Sequence, residues 1–147
     1  MEYLIGAVLA LAIAGLAAAA GFIRDRSFAP TILIVVASYY VLFAVIGGST
    51  RTVIVEMLIA SGFLLIGVVG FKRNLWLVAA AFVGHGLFDF IHEAYIRNPG
   101  VPSWWPGFCL AFDVLFGGCF AALLLRGSHS SLTPTPVSPD GHPHARS

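Results

Sequence analysis

The sequence predicts an all-α fold: a five-span transmembrane helical bundle with short loops and a disordered C-terminal tail. Three observations predict it. The 147-residue chain is 59% hydrophobic and only 10% charged, with a mean hydropathy of +0.91, where a soluble domain carries roughly 25% charged residues. So few charges cannot cover a water-facing surface, whereas lipid accepts apolar surface on every side of a helix. Five apolar runs approach the ~20 residues that a helix needs to cross the hydrocarbon core. The breaks between them are short and carry turn or charge signals.

The first run, Tyr3 to Ile23, is Ala-rich and uncharged. Ala17 to Gly21 resembles a small-residue cleavage site. The residues ahead of the run include Glu2 and no Lys or Arg, and the apolar stretch is long, so a retained span is expected rather than a signal peptide. Arg24-Asp25-Arg26 closes it. The second run, Pro30 to Ile46, ends at Gly47-Gly48-Ser49. The third, Thr52 to Phe71, ends at Lys72-Arg73-Asn74. The fourth, Leu75 to Ile96, ends at Arg97-Asn98-Pro99-Gly100, and the fifth is Trp104 to Leu125. Loops this short imply that each helix packs antiparallel against the next. Residues 1–126 therefore read as one transmembrane domain. From Gly127 the composition turns to Ser, Pro, Thr, Gly and His, which cannot bury enough apolar surface to order itself. Residues 127–147 are expected to be a solvated, disordered tail, with His129, His142 and His144 as a weak metal-binding alternative.

Cytoplasmic loops carry an excess of Lys and Arg. Arg24, Arg26, Lys72, Arg73, Arg126 and Arg146 fall on one side of a five-span chain, and Arg51 and Arg97 on the other. The expectation is a multi-pass protein of the cell membrane with its N-terminus outside and its C-terminus in the cytoplasm. A net charge of +1 without a basic patch excludes nucleic acid as a partner. Membrane lipids are the expected surroundings, and an oligomer is compatible with the sequence. Cys109 and Cys119 are ten residues apart on one helix, too far to bridge within it, and read as buried free thiols.

Ionisable groups inside a membrane are costly and usually functional. The fourth run contains His85, Asp89, His92 and Glu93. At about 100° per residue, Asp89 lies about 40° from His85, His92 about 20° to the other side, and Glu93 about 80° round. All four are expected on one inward stripe, with Leu87, Phe88, Phe90 and Ile91 left for packing or lipid. Counted from the outer end at about 1.5 Å per residue, His92 and Glu93 lie roughly 5 Å deep, Asp89 about 10 Å and His85 about 16 Å. Asp113 of the fifth run is then about 13 Å down, Glu56 of the third about 6 Å, and Tyr39 and Tyr40 of the second about 10 Å. Every acidic residue within these spans falls in the outer half.

Several chemistries suit this set. Imidazole with carboxylate binds zinc, iron or manganese. A mononuclear site would use one His with Asp89 and Asp113, and His92 or Glu93 could join a larger one. Buried carboxyl groups beside His also suit acid/base work without metal, and such chains serve as proton relays. A hydrogen-bonded network that fixes helix register is the structural alternative. Gly84 and Gly86 flank His85 and would let a second helix approach. Glu56 is either a site member or an outward-snorkelling side chain. Arg97 is an interfacial anchor or a headgroup ligand, Trp104-Trp105 an aromatic belt or a gate. Cys109 lies one turn above Asp113 as a core residue or a ligand.

The stretch from His85 to Asp113 resembles a family of small, mostly bacterial integral membrane proteins of unassigned function. That pattern is H-x-x-x-D-x-x-H-H on the fourth span, an Asn-Pro loop, then a Cys and an Asp on the next helix. The matching residues are His85, Asp89, His92, Asn98-Pro99, Cys109 and Asp113. Glu93 stands where the pattern has a second His, which favours a carboxylate ligand or base. Trp104-Trp105 is outside the pattern, and the first three spans share only hydrophobicity with it. The resemblance implies the fold and the stripe, and no substrate.

The leading functional expectation is a metal-dependent or acid/base membrane enzyme acting on a lipid-like or isoprenoid substrate. Its catalytic set is His85, Asp89, His92 and Asp113, and its metal ligands are His85, Asp89 and Asp113 for a divalent ion such as zinc. A small transporter or proton-conducting protein is the alternative from another class, and a noncatalytic subunit of a membrane complex a third. No nucleophile elbow, phosphate loop, haem-attachment motif or nucleotide fingerprint is present.

Overall fold

Five helices form where the apolar runs lie. The computed structural model describes residues 1–22 and 25–130, with side chains as far as Arg126. Its elements are α1 (Glu2–Ala19), α2 (Phe28–Ile46), α3 (Thr50–Lys72), α4 (Leu75–Tyr95) and α5 (Trp105–Ser130). All five are long and apolar enough to cross a membrane, and there is no strand among the described residues.

Local chemistry sets the boundaries. α1 stops four residues short of the expected Ile23 because Gly21 takes a φ of 76°, the left-handed conformation that ends a helix. α2 begins before the expected Pro30. Asp25 Oδ1 accepts from the Ser27 N–H at 2.9 Å and from its hydroxyl at 2.8 Å. Those bonds hold the exposed Asp25 carboxyl below the usual carboxylate range. Pro30 then falls in the first turn, where no intrahelical N–H is needed. α3 is capped by Ser49, whose Oγ accepts from the Thr52 N–H at 3.3 Å. α4 is capped by Asn74, which accepts from the Trp76 N–H at 3.0 Å. α5 runs on to Ser130, past the expected boundary at residue 126. Residues 131–147, with His142, His144 and Arg146, lie outside the described residues, as do Arg24 and the side chain of His129.

One packing expectation fails. α2 packs on α3, α3 on α4 and α4 on α5, but α1 lies along α5 rather than α2. The connection from Ala20 to Ser27 is long enough to let α1 swing away. Arg26 Nη2 donates to the Phe71 carbonyl at 3.1 Å, which ties that connection to the end of α3. α1 offers α5 a strip of small buried residues, Gly6, Ala10, Ala14 and Ala17. A Cβ at Gly6 would collide with the Phe108 carbonyl oxygen, so this crossing demands glycine. Between α1, α2 and α5 there remains an apolar cleft of about 430 Å³, with Ile13, Val35, Tyr39, Trp105 and Cys109 on its walls.

The two ends of the bundle differ. The upper end carries Met1, the α2–α3 turn and the α4–α5 loop. The lower end carries the other two connections and the exit of α5. Leu33, Val78, Phe82, Phe116 and Phe120 fill the core towards the lower end, while the buried ionisable side chains lie towards the upper one. Leu4, Leu58, Leu65 and Phe90 are all more than 60% exposed, a distribution suited to lipid and costly in water.

Candidate functional site

α4 supplies His85, Asp89 and His92, spaced by four and three residues so that they share one helix face. All three are buried. Glu93 does not join them: it is exposed. It lies beyond Asp89 on the helical wheel and near the end of α4, where a carboxylate reaches water. The expected four-residue stripe is therefore three residues wide. The expected glycine pair divides in the same way. A Cβ at Gly86 would lie 3.1 Å from Asp113 Cβ and 3.2 Å from the Leu110 carbonyl oxygen, so this glycine lets α5 bring Asp113 to α4. Gly84 has open space around it and admits no helix.

His85, Asp89 and Asp113 form the lower cluster. His85 Nδ1 lies 2.8 Å from Asp113 Oδ2, with the ring N–H as donor, and 3.3 Å from Asp89 Oδ2. One ligand atom from each residue fits within 4.8 Å of the others. The three residues are at most 2% exposed, yet hydrogen bonding is incomplete. Both Asp89 oxygens, Asp113 Oδ1 and the Tyr40 hydroxyl are buried without a hydrogen-bond partner among the described residues. Tyr40 of α2 and Cys109 of α5 both face Asp89. The Phe63 ring packs edge-on against His85 with centroids 4.6 Å apart.

The upper cluster is closed. His92 Nε2 donates to Glu56 Oε1 at 2.8 Å. Asn98 Nδ2 donates to the same oxygen at 3.0 Å and to the Tyr40 carbonyl at 3.1 Å. Asn98 Oδ1 accepts from the Gly100 N–H at 3.3 Å. The α4–α5 loop is thereby fastened to α2 and α3. A Cβ at Gly100 would strike the Phe43 carbonyl oxygen. The Tyr40 ring links the two clusters, 4.2 Å from the His92 ring and 6.4 Å from that of His85.

These positions resolve the alternative for Glu56 and locate the residues of the others. Glu56 is 1% exposed and points inward rather than snorkelling. Trp104 is half-exposed, whereas Trp105 sits among Tyr39, Phe43 and Phe108. Arg97 is exposed at the upper rim. Asn98 and Tyr40 were not among the expected site residues. The signal for Asn98 was its place beside Pro99 in a loop otherwise free of buried polar groups. Tyr40 was signalled only by its depth. His85, Asp89, His92, Asn98, Cys109 and Asp113 are all buried together.

Two carboxylates and one imidazole are a donor set suited to divalent zinc, iron or manganese. Ligands bound at about 2.1 Å stand roughly 3.0–3.4 Å from one another around a metal. The 3.3 Å contact of His85 Nδ1 with Asp89 Oδ2 falls in that range, and its 2.8 Å contact with Asp113 Oδ2 is slightly shorter. Set against protein-family models, curated proteins and solved structures, the chain matches none.

Proposed function

We propose that this protein is a membrane-embedded enzyme that holds a divalent metal ion, zinc for example, on His85, Asp89 and Asp113 and acts on a lipid-like or isoprenoid substrate. The Asp89 carboxylate carries the proposal. It is fully buried, and its neighbours His85 (Nδ1 at 3.3 Å), Tyr40 and Cys109 give neither oxygen a hydrogen bond of full geometry among the described residues. A charge buried in that way costs several kcal/mol. An imidazolium at His85 balances one of the two carboxylates and leaves the other uncompensated. A divalent cation shared by all three groups removes the imbalance.

When bound, such an ion supplies a Lewis acid and a water of lowered pKa. The chain's own residues do the rest. The Tyr40 hydroxyl, buried and facing Asp89, is placed to meet an oxygen that gains charge there. Phe63 holds the His85 ring in its orientation. His92, held by Glu56, packs its ring at a tilt against Tyr40 and positions it. The apolar cleft between α1, α2 and α5 has Cys109 on its wall and gives a hydrocarbon chain a lateral path towards Asp89. With Arg26, Lys72, Arg73 and Arg126 on the cytoplasmic side, the site lies in the outer half of the bilayer. A conducting path is less well supported, because Val78, Phe82, Phe116 and Phe120 offer it no polar step towards the lower end.

Metal content tests the proposal. The full chain, purified in detergent and dialysed, is expected to keep about one divalent ion. Asp89→Ala and Asp113→Ala should lose it and Glu56→Gln should keep it. A folded wild type that retains no ion would sink the metal centre.

A further inference from the structure

The basic residues at the upper end converge on one cleft outside the buried site. Arg51, in the first turn of α3, and Arg97, just beyond α4, line a space of about 320 Å³ together with Thr52, Val55, Tyr95 and Ile96. No acidic side chain lines it. Neither guanidinium forms an ion pair among the described residues. Arg26 at the lower end, by contrast, donates to the Phe71 carbonyl. The cleft is also braced. The Thr52 hydroxyl lies 3.4 Å from the Arg97 carbonyl oxygen as its donor, tying the start of α3 to the loop that follows α4. Glu56 is one turn below Thr52, so the cleft stands over the Glu56–His92 pair.

We infer that Arg51 and Arg97 form a rim subsite for a phosphate group, and that the substrate is a phosphorylated amphiphile. Two guanidinium forks on one small cleft match the tetrahedral oxygens of a phosphate, which arginine binds bidentately. The Tyr95 hydroxyl adds a donor, and the start of α3 adds the positive end of a helix. Exposure of the cleft at the level of membrane headgroups lets an amphiphile keep its phosphate at the rim while its chain stays in the apolar layer. Assigning the phosphate to the substrate rests on the proposed function; binding at the rim does not.

The test is a titration of the detergent-purified full chain with dioctanoyl phosphatidic acid, followed by native mass spectrometry, with dioctanoylglycerol as the phosphate-free control. Wild type should prefer the phosphatidic acid. The double variant Arg51→Gln/Arg97→Gln should bind it at least about tenfold more weakly, a loss in keeping with two charge-assisted contacts. Arg51→Lys/Arg97→Lys should recover part of the affinity, which separates lost charge from a lost fold. Asp89→Asn should bind the lipid as wild type does even where it loses metal, so failure of the metal centre and failure of the rim subsite are told apart. Competition by inorganic phosphate would assign the subsite to free phosphate, and lack of competition to a lipid headgroup; both support phosphate recognition. Equal binding by wild type and the folded Gln double variant, equal binding of dioctanoylglycerol, or loss of lipid binding in Asp89→Asn would overturn it.

Discussion

Two histidines on one helix face, two turns apart, live in opposite surroundings. His92 belongs to a network in which Glu56, Asn98, the Tyr40 carbonyl and the Gly100 amide are joined. His85 belongs to a cluster with two buried carboxylates, three of whose four oxygens have no hydrogen-bond partner among the described residues. The burial is the same; the completeness differs. A closed network binds helices and a loop to one another, because every member it loses leaves another unpaired. An open cluster is what a fold retains when the missing partner comes from outside. Ionisable residues within a membrane span therefore do not share one explanation, even seven residues apart.

The comparison breaks or holds on measurable differences. The largest effect is expected from Glu56→Ala, which strands His92 and Asn98. Removing one partner of a buried pair costs about 3–5 kcal/mol, read as a lower unfolding midpoint in detergent, with the metal content of the folded fraction unchanged. A cost below about 1 kcal/mol would deny the closed network its role. Gly86→Ala comes next. Its Cβ, 3.1 Å from Asp113 Cβ, would push α5 outward at about 1–3 kcal/mol and weaken metal retention as Asp113 retreats from His85. Asp89→Asn should act with the opposite sign. In the presence of chelator it removes an uncompensated charge and raises the midpoint, by about 1 kcal/mol, while abolishing metal binding. A destabilisation matching that of Glu56→Ala would erase the distinction between the clusters. The smallest effect belongs to Asp25, remote from both. Its carboxyl is held below the usual carboxylate range by hydrogen bonds from Ser27, so its contribution is present at neutral pH and lost as pH falls through its folded pKa. Asp25→Asn should be slightly less stable than wild type at pH 7 and equal to it once the pH is below that folded pKa, in paired thermal melts.

Much of this architecture was legible in the sequence. Hydropathy located all five helices, because a bilayer demands long apolar runs and the connections interrupt them with Gly, Asn and charge. The periodicity of α4 identified His85, Asp89 and His92 as one face, and depth counting put Asp113 between Asp89 and His85 and Glu56 level with His92. What failed was less local. Loop length suggested that α1 packs on α2, but helix partners in lipid are chosen by small-residue surfaces, and those of Gly6 to Ala17 fit α5. Glu93 was placed with the stripe because a wheel has no sharp edge, and the nearby rim decides. Gly84 and Gly86 look alike in sequence, yet only the second faces α5. Asn98 was marked by the resemblance but given no role, because a loop asparagine usually means a turn; its role emerges from two partners 42 and 58 residues away.

The pairing of α1 with α5 sets an order of events at the translocon. α1 docks against α5, so the Gly6-to-Ala17 strip stays bare until α5 has been inserted. Asp113 arrives on that same late helix. The His85–Asp89–Asp113 cluster is therefore incomplete until α5 has been inserted. Assembly of the cluster and closure of the bundle thus coincide, and a chain that stalls before α5 exposes both a helix-binding seam and an unpaired carboxylate to membrane quality control.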